Sequence, residues 1–275
     1  MSYQIVFSDI DGTLLNSNHR MLDGTLEAVK SLQKRDIPFF IVTARGPSGV
    51  YPIFRRYNFI CPIVCFSGAL ILDEHGNVIY SKGVSKYTTA KIIDYVEASG
   101  FDCTWNVYSM DSWIVNNRTD PRIINEENIV EVQSPVGTAY DLPDGAEIGK
   151  ILCMCNPDKT DEIEAGLRKR FPSLSIVRSS DILVEVMEKG VTKGQSIKII
   201  CDKLGINPDD AIAFGDHYND IEMLKAVGTP FLMGNAPTEL KEQFLNITAS
   251  NNEEGIYKAL KSLSLEGKRD RDSGG

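Results

Sequence analysis

Two aspartates, Asp9 and Asp11, stand one residue apart at the end of the run Ile5-Val6-Phe7-Ser8 and just before Gly12. A short apolar run of this kind reads as a buried parallel strand. In open α/β sheets, ligands bind outside the carboxyl ends of such strands. Two carboxylates at that place repel one another unless a cation sits between them. Gly12 then permits a backbone turn that other residues resist. This arrangement can supply an aspartate nucleophile with a magnesium ion. The same residues would also serve in an acidic turn that merely closes a strand. An Asp-Gly pair alone does not decide between the two.

Other strand ends repeat the pattern. Ile37-Pro38-Phe39-Phe40-Ile41-Val42 is followed at once by Thr43, which offers a hydroxyl and a free backbone N–H to a phosphate oxygen. A helix N-cap is the plainer use of such a threonine. Ala211-Ile212-Ala213-Phe214 runs into Gly215-Asp216-His217-Tyr218-Asn219-Asp220, adding two carboxylates and an amide at the same edge. Magnesium takes octahedral oxygen ligands and keeps several waters, so a few carboxylates and a carbonyl suffice for it. Asp216 or Asn219 could instead simply begin the next helix. Lys193 opens a helix, where the macrodipole favours anions over cations. A lysine there makes sense if it neutralises carboxylate and phosphate charge, although a solvated surface lysine is the ordinary case. Together the four acids, the lysine, the threonine and the asparagine provide the positioning and charge neutralisation that phosphoryl transfer needs.

The elements that must hold these residues follow a strand–helix rhythm. Leu22, Leu26, Val29 and Leu32 recur at helical spacing, a second helix fits 50–57, and Ile63-Val64-Cys65-Phe66 is a third strand. This predicts a parallel sheet with right-handed crossovers. Leu70-Ile71-Leu72 and Val78-Ile79-Tyr80 then read as a hairpin. Residues 84–188 break the rhythm and read as a separate α+β unit. It has a helix at 88–98, paired strands at 105–108 and 113–115, a loop at 134–145, a strand at 148–155, a helix at 158–171, and strands at 174–178 and 182–187. Crossovers resume with helices at 192–204, 220–227, 237–244 and 256–263 and strands at 211–214, 230–233 and 247–249. The predicted fold is therefore α/β, a Rossmann-like doubly wound core from 1–83 and 189–265 with an α+β insert, and 266–275 is expected to be a disordered tail.

The chain of 275 residues can bury a sizeable core, and its 42% hydrophobic and 24% charged content is ordinary for a globular protein. A net charge of −9 argues against nucleic acid as the main partner. No apolar run approaches the ~20 residues that span a bilayer, and no signal-type segment opens the chain, so no membrane partner and a cytoplasmic location are expected. Cys153-Met154-Cys155 lies in a strand-like run without a paired CxxC or a histidine cluster. The six cysteines therefore read as buried reduced thiols.

With these motifs in view, the chain resembles the haloacid dehalogenase superfamily of phosphatases, in its Cof-type branch. The matching stretches are Asp9-Ile10-Asp11-Gly12-Thr13, Thr43-Ala44-Arg45, Ser67-Gly68-Ala69, Gly190-Val191-Thr192-Lys193-Gly194, Gly215–Asp220, Met233-Gly234-Asn235-Ala236 and Thr248–Ile256. The insert corresponds to that branch's type II α/β cap (type IIB), and Ser67 stands where the branch usually has asparagine. The resemblance implies a Mg2+-dependent phosphatase for a small phosphorylated metabolite: a sugar phosphate, nucleotide or cofactor phosphate. It makes Asp9 the nucleophile and a metal ligand, and Asp11 the general acid and base with its carbonyl on the metal. Asp216 becomes a further metal ligand, and Asp220 supports the ion directly or through water. Thr43, Lys193, Asn219 and the Ile10 backbone N–H hold the phosphate. A phosphomutase and a non-catalytic phosphate-binding regulator are the alternatives. Tyr108 and Trp113 are candidates for substrate contact from the cap, against an ordinary packing role. A monomer or weak homodimer is expected.

Overall fold

A computed structural model describes residues 3–272. The first half of the core runs β1 (Ile5–Ser8), α1 (Asp23–Lys34), β2 (Phe39–Val42), α2 (Tyr51–Tyr57), β3 (Ile63–Cys65), β4 (Leu70–Leu72) and β5 (Val78–Ser81). An insert follows: β6 (Val84–Ser85), α3 (Lys86–Ala98), β7 (Cys103–Ser109), β8 (Ser112–Val115), α4 (Pro121–Val130), β9 (Glu147–Ile148), β10 (Lys150–Cys155), α5 (Thr160–Arg170), β11 (Ser175–Ser180) and β12 (Leu183–Met187). The chain closes with α6 (Lys193–Leu204), β13 (Ala211–Gly215), α7 (Ile221–Lys225), β14 (Thr229–Leu232), α8 (Thr238–Lys241) and α9 (Gly255–Asp272).

The large sheet has the order β14-β13-β1-β2-β3-β4-β5. Its first five strands are parallel, and β4 and β5 follow through two antiparallel pairings. β1 is central and wholly buried, which is why it reads as continuously apolar. Its side chains alternate between two cores. Ile5 and Phe7 pack with Val42, Ala213, Ile197 and Leu224 on one face, while Val6 packs with Ile41, Val29, Leu32 and Ile212 on the other.

The insert builds an antiparallel sheet ordered β11-β12-β10-β7-β8. One face carries Trp105, Val107, Ile151, Cys153 and Val184 against Ile92, Ile93, Ile163 and Leu167 of α3 and α5. The other face carries Tyr108, Trp113, Leu152 and Met154, which join the core's own cluster. Alternation along each strand therefore gives the insert one face for its helices and one for the core.

Three segments differ from the sequence reading. Residues 121–130, unassigned there, form α4, begun by Pro121 at its first position and by Asp120 accepting from Arg122 N–H at 2.9 Å. The strand expected at 247–249 is reduced to a single bridge, Leu232 to Ile247. Helix α9 continues to Asp272 through most of the expected disordered tail, because no proline interrupts 256–272 and a helix once nucleated adds residues readily; the rest of that tail, 273–275, lies outside the described residues.

Phe7 is fully buried with its ring centroid 5.6 Å from that of Phe40. Phe7→Ala is expected to cost about 3–5 kcal/mol in urea unfolding, as a core Phe→Ala change does. A loss below about 1 kcal/mol would mean that the site collapses around the gap.

Candidate active site

The site lies where β1, β2 and β13 end. Asp9 follows β1 directly, and its backbone N–H still donates to Phe214 O at 3.0 Å, continuing the pairing with β13. Lys193 is the first residue of α6, and its ammonium reaches back to Asp9 Oδ1 at 2.5 Å and Asp220 Oδ1 at 2.6 Å. All three side chains are buried, Lys193 to the point of 1% exposure. The second oxygen of Asp220 accepts from the backbone N–H of Asp216 at 3.0 Å and of His217 at 3.1 Å. That pair of bonds folds the β13–α7 turn and sets Asp216 beside Asp9. Asp9, Asp216 and Asp220 each bring a carboxylate oxygen within 4.8 Å of the others.

Further contacts hold Asp216. Thr13 Oγ1 donates to its Oδ1 at 2.7 Å and Asn235 Nδ2 to its Oδ2 at 3.2 Å. Asn235 also donates to Gly12 O at 2.9 Å. Gly12 is required here twice over. Its φ is +84°, and a Cβ would lie 2.2 Å from Asp216 Oδ2.

Asp11 is brought to the same edge but stands apart from the buried acids. Its side chain is 47% exposed, and Arg45 grips it with Nε at 2.8 Å and Nη2 at 2.6 Å. This is the bidentate fork that guanidinium and carboxylate favour. Thr43 is buried, and its hydroxyl accepts from Arg45 N–H at 3.1 Å. The expected free N–H of Thr43 is not free. It donates to Val64 O at 2.9 Å, because the β2–β3 pairing runs one residue beyond the strand. The Ile10 side chain is fully buried, so the backbone is what it can offer a ligand. Asn219 lies exposed on the short turn 218–220, beside buried Asp220. Ser67 holds φ 55° and ψ 24°, a left-handed conformation that asparagine tolerates better than most residues.

The insert brings groups that the sequence reading missed. Lys150 is 7% exposed at the start of β10, and its Nζ donates to Ala44 O at 3.0 Å, between Thr43 and Arg45. It lies 3.4 Å from Glu185 Oε1 of β12. Glu126 of α4 is within electrostatic reach of Lys150, Arg45 and Asp11. A lysine and a glutamate interrupting the apolar strands Lys150–Cys155 and Leu183–Met187 were the available signal. Tyr108 and Trp113, by contrast, are packing residues. Their rings stack at 5.6 Å, and Trp113 Nε1 donates to Asn106 Oδ1 at 2.9 Å.

Residues 6–260 match the family of haloacid dehalogenase-like hydrolases. The chain belongs to that family. A Haemophilus influenzae protein named as a phosphatase is 34% identical over 256 residues, covering 93% of this chain and 96% of that one. A Bacillus subtilis relative named as a phosphatase, YkrA, is 27% identical over 266 residues, covering 96% and 99%. Two solved structures share the fold. A haloacid dehalogenase-like hydrolase from Bacteroides thetaiotaomicron superposes with a TM-score of 0.86 at 22% identity, over 95% of this chain and 100% of that one. A subclass IIB sugar phosphatase superposes at 0.79 and 24% identity, over 95% and 99%. The protein is thus a phosphatase-type hydrolase, and no helix among its described residues is long and apolar enough to cross a membrane.

The acid cluster of this hydrolase suits a divalent metal, because its donors are hard carboxylate oxygens carrying more charge than one lysine offsets. Burial opposes the Lys193 ammonium, but Asp220 and Asp9 outweigh it and hold its pKa above the ordinary lysine value. For Asp9, burial outweighs the attraction of Lys193, and the neighbouring acids add to the rise above the usual carboxylate range. Asp216 is pushed up to about 6, chiefly by burial, with the Thr13 hydrogen bond opposing and Asp220 adding repulsion. Raised values of this kind mean that a proton competes with a metal ion for the same oxygens. Affinity for a divalent cation, measured by calorimetry, is therefore expected to weaken as pH falls through about 6, where Asp216 takes up its proton. Affinity that stays constant down to pH about 5 would overturn proton competition at Asp216.

Proposed function

We propose that this hydrolase is a magnesium-dependent phosphatase acting on a small phosphorylated metabolite through an aspartyl-phosphate on Asp9. The observation that carries this reading is the Asp9 carboxylate, buried against Lys193 and facing Asp216 at the end of the central strand. In this reading Asp9 attacks phosphorus while Lys193, Thr43, Asn219 and the Ile10 amide hold the phosphoryl oxygens. Asp11 gives its proton to the leaving oxygen and then takes one from the water that hydrolyses the intermediate. The Arg45 fork sets the position of Asp11 in the free protein. Asp9, Asp216 and the Asp11 carbonyl would hold the ion, and Asp220 would support it mainly through Lys193 and the turn. Magnesium bound there supplies the positive charge that lets a carboxylate approach a phosphate dianion. Residues 84–188 serve as a cap over the site, and Lys150, Glu185 and Glu126 meet the leaving group.

Hydrolysis of an aryl phosphate is expected to stop in excess chelator and to return with Mg2+. Asp9→Asn should abolish turnover in a folded protein, and Asp11→Asn should lose ~10²–10⁴-fold in kcat, the range typical of a lost general acid. Activity in chelator, or turnover by the Asp9 variant, would overturn the mechanism. A panel of sugar phosphates, nucleotides and cofactor phosphates would identify the substrate class. Against the best substrate, Lys150→Met should raise KM by roughly tenfold or more, the effect of losing one charged hydrogen bond, while an aryl phosphate is less affected. Equal effects on both substrates would place leaving-group recognition elsewhere.

A further inference from the structure

Three of the six cysteines gather in the insert, on the sheet face that packs against α3 and α5. Strands β7 and β10 are antiparallel with Cys103 directly opposite Cys155, and Cys153 is two residues further along the same face. Asn156 N–H donates to Asp102 O at 2.9 Å, so 102 and 156 form a hydrogen-bonded pair. The next pair, Cys103 and Cys155, is then a non-hydrogen-bonded one. Such pairs hold their Cα atoms roughly 4.5 Å apart and their side chains close together. That separation falls within the range a disulfide accepts. All six cysteines are free thiols; Cys103 is half-buried and the other five are buried.

The surroundings of Cys103 favour its reaction. Its side chain shares a sheet face with the thiols of Cys155, directly opposite, and Cys153, two residues further along. Those two thiols, with the nearby Arg122 guanidinium, draw it below the usual thiol range against burial and the Asp102 carboxylate. Cys153 and Cys155 are shifted the other way, chiefly by Cys103 in turn. The thiol of the group that is drawn down is therefore the half-buried one. Arg122 is held in place by Asp120 at 2.8 Å and Asp102 at 3.4 Å, so its charge is a fixed part of this corner.

We propose that Cys103 and Cys155 form a peroxide-reactive dithiol, a modification site separate from the phosphatase centre. The Cys103 thiolate attacks a hydroperoxide oxygen, the O–O bond breaks, and the departing alkoxide takes a proton to leave as the alcohol, giving Cys103 sulfenic acid. The Cys155 thiol then loses its proton and attacks the Cys103 sulfur. The S–O bond breaks, hydroxide leaves with that proton as water, and a disulfide joins β7 to β10. One hydroperoxide is thereby reduced by two electrons from the two thiols. A dithiol reductant reverses the bond by exchange.

The sequence itself supplies the test, because Met154 separates Cys153 from Cys155. The full-length protein with Mg2+ present is treated with a small excess of hydrogen peroxide, blocked with a thiol alkylator, and cleaved at methionine. The expected product joins fragment 22–110 to fragment 155–187, and dithiothreitol applied before blocking abolishes it. Cys153→Ala should still give the cross-link. Cys155→Ala should leave a Cys103 sulfenic acid that dimedone traps. A link from 22–110 to 111–154 would overturn the assignment of Cys155. Oxidation of Cys103 straight to sulfinic acid, or no cross-link in the wild-type protein, would overturn the dithiol.

Discussion

The buried Lys193 ammonium is the constraint on which the rest of the site depends. One cation without water must find its counter-charges within the protein, and the available ones belong to two separate loops, Asp9 after β1 and Asp220 after β13. Taking either partner away would leave an uncompensated buried charge, an effect of about 3–5 kcal/mol. The two ion pairs therefore lock α6 to both strand ends at once. Neighbouring backbone follows from this docking. Gly68, at φ 117°, stands so close to the Thr192 carbonyl that a Cβ would lie 2.5 Å from it. Thr192 in turn caps α6 by accepting from Gln195 N–H at 3.1 Å.

The same constraint leaves the charge unbalanced. One lysine faces three buried carboxylates, and Asp216 is held by a hydroxyl and an amide instead of a cation. Neutral donors stabilise a carboxylate less than an opposite charge does, so burial dominates and Asp216 rises to about 6. Asp11 lies outside the buried group and has its own arginine. Asp9 and Asp11, one residue apart in the chain, thus stand in different surroundings, the first buried against Lys193 and the second half-exposed under Arg45.

Much of this was legible because strand ends announce themselves. An apolar run broken by Asp9, by Thr43 or by Asp216 states both the strand and the edge at which it ends. Right-handed crossovers then force those ends together. The contacts that were not legible come from residues distant in sequence or of ordinary type. Glu254 accepts from Gly24 and Thr25 N–H at 2.9 and 2.7 Å and so caps α1, where Leu22 offers no side chain able to do it. Asn251 Nδ2 donates to Leu15 O at 2.9 Å while its N–H holds Asn235, which holds Asp216. The stretches 233–236 and 248–256 that hold Asn235, Asn251 and Glu254 stood out by their resemblance to the family, but no local pattern says which partner each side chain holds. Helix α4 is a different case, since Asp120-Pro121 is an ordinary helix start. Its apolar residues form a narrow stripe, with Ile123 its buried residue, so helical periodicity is weak there.

The insert shows how a strand's alternation can serve two partners at once. Along β10, Ile151, Cys153 and Cys155 face the helices, while Lys150, Leu152 and Met154 face the core. The core-facing set is apolar except for Lys150, whose ammonium ends on the Ala44 carbonyl. Next to it Gly149 lies so close to Phe66 that a Cβ would come within 2.2 Å of the ring. Phe66 precedes Ser67, and Ala44 joins Thr43 to Arg45, so this one corner of the insert presses on two of the loops that frame the catalytic edge. A shift of β10 against the core would have to break the Lys150 contact and part Gly149 from Phe66 together. Both loops would register that movement, so residues 149 and 150 tie the insert's position to the backbone around Thr43 and Arg45.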